Sequence, residues 1–327
     1  MKAAGIIRII VGLVIAVLLT AILVVLLTGN NIFSRLDNGD NWIGRVFDRA
    51  TYYSGGIDED SNAVIVSEEA RVSANNIKKI KIDWVAGGIS LRVGTGSDIV
   101  FSESSNRDLT DRQRMRYTVS ESGTLQIKYC ENLDNIFDWF SLDANMPAKT
   151  LVMEVPASLI GQLADLEIDT VSSNIDLSGV YGRKTSFSSV SGEVRCADIL
   201  CDDLYLSSTS GAIICENVTI KEIEIDNVSG GVRLEGEFEH IDVDTVSGSV
   251  QIAAANVPKS IDVDGVSGRI TIALPETAGF TAKLDTVSGS LSCAFPGTLG
   301  SDLVVVGDGN ADYSFDTVSG SVNIEKN

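Results

Sequence analysis

The sequence predicts an all-β protein, a solenoid of stacked rungs behind a single N-terminal transmembrane helix, and three observations carry that prediction. Eight variants of one phrase lie between Leu166 and Ile324, clearest as Ile241-Asp-Val-Asp-Thr-Val-Ser-Gly-Ser-Val-Gln-Ile252, and a ninth, degenerate copy sits at Ile80–Leu91. Its serine recurs at Ser172, Ser191, Ser210, Ser229, Ser247, Ser267, Ser288 and Ser319, in steps of 19, 19, 19, 18, 20, 21 and 31 residues. A near-constant period of about 20 residues marks an array in which each unit buries its apolar face only by stacking on the next. Aromatic residues make up only 6% of the 327, so the core is expected to be built from small branched side chains. Finally, Ile9–Thr28 is an uncharged apolar run of 20 residues, the length a helix needs to cross about 30 Å of hydrocarbon.

Taken in order, residues 1–8 form a short N-terminus carrying Lys2 and Arg8, which the positive-inside tendency keeps in the cytoplasm. Residues 9–28 are the membrane span. The run exceeds a signal-peptide core, and Leu27-Thr28-Gly29-Asn30-Asn31 lacks a small-residue cleavage site, so it reads as an uncleaved signal anchor that exports the chain beyond it. Residues 29–62 are a polar juxtamembrane linker with scattered aromatics. The extracytoplasmic repeat domain is 63–327, with an irregular insertion at 94–164. That insertion contains short alternating stretches at Tyr117–Val119, Leu125–Tyr129 and Leu151–Val155, which read as strands, and a loop, Glu131–Pro147, that is dense in aromatics.

Within the rungs, apolar residues six and four before the serine, and three and five after it, give the period of two of half-buried strands. The valine before the serine breaks the phase and implies a corner, where the following glycine permits a positive φ. Ser-Gly as a hairpin tip fits the same pattern, but identical spacing and register favour coils stacked like on like. Cys196, Cys215 and Cys293 occupy the same apolar column as Leu177, Leu234 and Ile252, which makes them core thiols, with a Cys196–Cys215 bridge between adjacent rungs left open. The fifth cysteine makes complete pairing impossible.

Formal charge is −20, and since Lys2 and Arg8 precede the span the exported part carries −22, a surface that repels nucleic acid and attracts cations or basic peptides. Acids recur before each serine. Asp242, Asp244, Asp262 and Asp264 are weak candidate cation ligands, since neither a β-roll nonapeptide nor an EF-hand spacing is present, and a solvated structural stripe is the better reading of them. Serine catalysis lacks a base, since His240 is the one imidazole. Acids present on every rung do not form the irregular constellation that a carbohydrate-active β-helix enzyme requires. No catalytic residue and no cofactor is expected. Ile136, Phe137, Trp139 and Phe140 in the aromatic loop are the partner-contact candidates, with a cap over the open end of the solenoid as the competing role. The sequons Asn217-Val-Thr219 and Asn227-Val-Ser229 are short enough to arise by chance.

The single span, Ile80-Lys-Ile-Asp83 with its Gly-Gly corner, Leu151-Val-Met-Glu-Val-Pro156 leading into Leu166-Glu-Ile-Asp-Thr-Val171, and the serial Asp-x-Val-Ser-Gly rungs together resemble a bacterial family. These are the toast-rack β-strand-repeat proteins, labelled adhesins and including LiaG-like envelope proteins, and the likeness covers about residues 64–327. The resemblance implies a right-handed β-helix-like stack, non-enzymatic, at the plasma membrane, serving as an envelope-stress accessory or a surface adhesin. Its ligand would be an envelope protein, a lipid or a glycan.

Overall fold

The computed structural model describes residues 63–131, 147–300 and 302–327; the predicted span at 9–28 and linker at 29–62 lie outside them. Among the described residues no helix is long and apolar enough to cross a membrane, and the regular structure is almost entirely strand. Seven strands precede the regular array: β1 (Val64–Ile65), β2 (Glu69–Ser73), β3 (Lys79–Gly94), β4 (Asp98–Ser105), β5 (Arg116–Val119), β6 (Thr124–Lys128) and β7 (Lys149–Pro156). The array itself is β8 (Asp165–Ser178), β9 (Lys184–Ser191), β10 (Val194–Ala197), β11 (Leu200–Ser210), β12 (Ile213–Ser229), β13 (Val232–Ser247), β14 (Val250–Ala254) and β15 (Ser260–Leu274). It closes with β16 (Phe280–Cys293), β17 (Gly297–Leu299), β18 (Leu303–Val306) and β19 (Ala311–Lys326).

Successive copies of the phrase pair in parallel with the serines in register: Ser172 on Ser191, Ser191 on Ser210, Ser210 on Ser229, Ser229 on Ser247, Ser247 on Ser267. The chain therefore coils, and the hairpin alternative is excluded, because a hairpin would pair each copy with itself across Ser-Gly. Each rung is two short strands meeting at the Val-Ser-Gly corner. The predicted alternation holds, with Ile241, Val243, Val250 and Ile252 buried and Asp242, Asp244 and Gln251 half-buried or exposed. A second corner follows the second strand, where Asp198 and Asn217 have φ of 56° and 53°, and Gly179 precedes them in the column at 65°. Asp, Asn and Gly tolerate this left-handed conformation best, and the Asn217 Nδ2 group donates to Asp198 Oδ1 at 2.6 Å.

The glycine after the serine is needed mainly for close approach. A Cβ on Gly230 would lie 2.1 Å from the Gly211 carbonyl oxygen, and one on Gly248 1.9 Å from that of Gly230. Positive φ, expected at every such glycine, occurs at Gly192, Gly230, Gly248 and Gly268 but not at Gly211, Gly289 or Gly320. At Gly211 the steric limit alone requires glycine, since its Cβ would meet the Gly192 oxygen at 2.0 Å.

At both ends spatial order departs from chain order. The rung of Ser319, last in sequence, pairs with β15 on one side and with β16 on the other, so the rung of Ser288 is outermost. At the opposite end β6 and β7 jointly form a rung outside β3, although both follow it in sequence, while β8 pairs with β3 on the inner side. The displaced rungs allow antiparallel caps: β4 pairs with β7 and β2 with β4, β5 with β6 and β1 with β5, and at the far end β18 pairs with β16 and β17 with β18. The 31-residue step between Ser288 and Ser319 is thus taken up by the β17–β18 hairpin.

Candidate functional site

The repeat serines form an exposed column in register, ending at Ala86 on β3, which faces Ser172. No hydrogen bond joins these hydroxyls among the described residues, so they do not hold the stack together. His240 stacks in register between Glu222 and Ser260, and its Nδ1 lies 2.8 Å from Ser260 Oγ. Neither the repeat nor any motif pointed to this serine–histidine pair. It is solvent-exposed, and the ring donates no hydrogen bond to Glu222 that would orient it, so the base–orienter geometry of a nucleophilic triad is absent from it.

The hydroxyls that do pack inside are two residues earlier. Thr170, Ser189, Ser208, Asn227, Thr245, Gly265, Thr317 and Thr286 follow one another in register, and of their side chains those of Thr170, Ser189, Ser208, Asn227, Thr245 and Thr317 are buried. Thr170 Oγ1 donates to Ser189 Oγ at 3.0 Å, whereas Ser208 Oγ, both polar atoms of the Asn227 side chain, and Thr245 Oγ1 have no protein partner. Buried polar groups without a protein partner are the kind of site at which internal water is commonly held in folded proteins. The signal in sequence was a polar residue at a core-parity position on rung after rung. Burial also removes Asn227 from consideration as a glycosylation acceptor in the folded chain.

The acids lie on the outer face of the first strand, but the expected recurrence on every rung fails at the rungs of Ser191 and Ser210, where Ser186 and Ser188, then Tyr205 and Ser207, take the acidic positions. Asp242 pairs in register with Asp262 and Asp244 with Asp264, in two parallel columns that continue to Glu224 and Asp226 on one side. Burial, then the Asp242, Asp264, Asp226 and Asp262 carboxylates in that order, push Asp244 up to about 8. Asp226 is buried and accepts from the Tyr205 hydroxyl. Among the described residues no group of three or more His, Cys, Asp or Glu side chains is placed to hold a metal ion. The second strand of each rung presents a different outer face: Asp176, Arg195, Ile214, Arg233, Gln251 and Thr271 stack along it, mixed in charge. Negative potential therefore belongs to one face of the stack. At its β3 end that face is neutralised: Lys79 and Lys81 contact Glu167 at 2.7 and 2.8 Å. Burial raises the Glu167 carboxyl, but the two lysines outweigh it and hold it down at about 2.

The contact candidates Ile136, Phe137, Trp139 and Phe140 lie outside the described residues, but the two chain ends flanking them are described. Lys149 is buried, and its Nζ donates to Glu103 Oε2 and the Gln113 carbonyl at 2.7 Å each, and to the Tyr129 carbonyl. The ammonium lies 4.0 Å from the Tyr129 ring centroid and 5.0 Å from that of Trp84. Trp84 Nε1 donates to the Lys149 carbonyl at 3.2 Å, and the Tyr129 hydroxyl donates to the Pro147 carbonyl. Burial pulls the Lys149 pKa down, and its hydrogen bond and ion pair with Glu103 oppose the shift. Nothing in the sequence pattern signals this cluster, because Trp84, Glu103, Tyr129 and Lys149 are brought together only by the pairing of β3, β4, β6 and β7. All five cysteines are unbridged, and Cys196 and Cys215 are register neighbours in the core.

Comparison with solved structures finds similar chains, among them three that are each described with the word "putative". A lipid binding protein from Parabacteroides distasonis is 15% identical, with 83% of this chain and 99% of that one covered and a TM-score of 0.42. An adhesin from Bacteroides fragilis is 12% identical, with 83% and 100% covered and a TM-score of 0.36. A cell adhesion protein from Clostridium sporogenes is 14% identical, with 80% and 99% covered and a TM-score of 0.30. Comparison with curated proteins finds no match. The family model described as Toastrack DUF4097 matches residues 62–325. With the match spanning nearly the whole coiled array and both its caps, the chain belongs to the Toastrack DUF4097 family.

Proposed function

We propose that this chain is a non-enzymatic scaffold, anchored in the plasma membrane by residues 9–28 with its N-terminus in the cytoplasm, which binds or senses at the cell envelope through the segment between Glu131 and Pro147. The observation that supports this most is the buried clamp of Trp84, Glu103, Tyr129 and Lys149, which fixes both flanks of that segment to each other. Ion pairs out of water cost desolvation, and a solenoid built from Ile and Val columns does not need one for stability. Rigid flanks are what a binding segment requires, because they remove conformational entropy before contact. In this reading Ile136, Phe137, Trp139 and Phe140 contact an envelope protein, a lipid or a glycan, and the array of right-handed coils is the support.

The test combines stability with contact. A Trp139→Ser/Phe140→Ser variant is expected to melt within about 2 °C of the parent, as a change that removes no core contact should. A photoreactive amino acid at Trp139 in intact cells is expected to give a defined protein, lipid or glycan adduct. A large drop in melting temperature, with no adduct, would assign the segment to capping the stack and sink the proposal. Fractionation of cells expressing the chain with and without residues 1–28 checks the anchor, with loss of membrane association expected on deletion.

A further inference from the structure

The two ends of the stack are closed unequally. At the β3 end, both halves of the outermost rung are covered, β6 by β5 and β7 by β4. At the other end, β18 covers β16 only over Phe280–Lys283, and beyond Leu284, whose amide bonds the Asp302 carbonyl, no described strand lies outside it. From Asp285 to Cys293 the outward backbone groups of β16 form an open edge. The core columns also end open there. The position three after the serine is buried at Ile175, Val194, Ile213, Val232, Val250, Ile270 and Val322, yet its counterpart Leu291 is half-exposed. Cys293 is likewise half-exposed where Leu177, Cys196, Cys215 and Ile324 are buried, and Val287 is 63% exposed. Natural edges are usually blunted by charge, proline or a bulge. Here Thr286 to Ser301 is an uncharged run of 16 residues in a chain of net charge −20, and its one proline, Pro296, lies after β16.

We propose that this half-rung is the contact between two copies of this chain, with β16 pairing antiparallel to the partner copy's β16 about a twofold axis at Ser292. Unpaired main-chain groups can be satisfied in full only by another strand, so the occupant is an extended backbone. The segment Ser290-Leu-Ser-Cys-Ala294 is self-complementary in that register: Leu291 faces Cys293 of the partner subunit on the interior side, and Ser290 faces Ala294 of the partner subunit outside. Each open core column then continues into the other copy. Charge selects the same place, because like-charged copies repel at the acidic face, whereas this half-rung carries no charge beyond Asp285. The contact is isologous and closes at two copies. It stands independently of the role proposed for the segment between Glu131 and Pro147.

Sedimentation of the full-length chain in a mild non-ionic detergent is expected to show a dimer at micromolar concentration. Ser292→Cys, at the axis, is expected to form an intermolecular disulfide under mild oxidation, whereas Ser249→Cys, exposed in the middle of the stack, is not. Leu291→Lys is expected to yield a monomer, and Ser290→Lys, at an exposed position, repeats the test without touching the core column. A monomer at all concentrations, a dimer that survives both lysine variants, or Ser292→Cys cross-linking only to a different protein in cells would each overturn the proposal.

Discussion

At the scale of single residues, the adjacent glycines of one corner have different duties. Gly230 has no room for a Cβ and a φ of 145°, whereas a methyl group added at Gly231 would meet nothing nearer than Ser249 Oγ at 3.7 Å. Gly230→Ala is expected to cost about 2–4 kcal/mol in chemical denaturation and Gly231→Ala less than about 0.5 kcal/mol. The phrase Val-Ser-Gly was legible as a corner, but the reason for its glycine was only half legible, because contact between rungs does not show in the sequence of one rung. Asp244 gives a second prediction. Its folded-state value of about 8 lies above the ordinary aspartate value, so the native state retains a proton the unfolded chain has released. Stability should therefore fall as pH rises from about 4 to about 8. Asp244→Asn is expected to stabilise by about 2 kcal/mol at pH ~8 and to be neutral at pH ~4, read from urea midpoints at both pH values.

At the scale of elements, the clamp joining β3, β4 and β7 concentrates risk. Lys149→Met leaves Glu103 buried without its cation, and a loss of about 3–5 kcal/mol is expected. Adding Glu103→Gln should restore part of that loss, since the amide oxygen can still accept from the Met115 amide, which now bonds Glu103 Oε1 at 2.8 Å. The strands themselves were readable: alternation placed β5, β6 and β7 within the irregular insertion, and their observed ranges differ from the expected ones by one or two residues at most ends. Their partners were not readable. Alternation tells which face of a strand is apolar, and it contains no term for which other strand covers that face.

At the scale of the whole molecule, the order of rungs has a mechanical consequence. Because β19 lies between β15 and β16, deletion of 311–327 removes a layer from inside the stack, and β16 loses the one full-length neighbour it has among the described strands. Hydrogen exchange is expected to show loss of protection over 280–306 as well as on β15, whereas a stack in chain order would have lost only its terminal rung. The sequence by itself determined the repeat, the corners, the apolar columns and the acidic stripe, because each follows from local periodicity and stacking of like on like. Tertiary structure alone decided the exchange of rungs at both ends, the buried clamp and the half-covered edge at β16. These depend on which strand covers the last apolar layer once the repeat runs out, a choice made by competition among edges and left open by the period of the repeat.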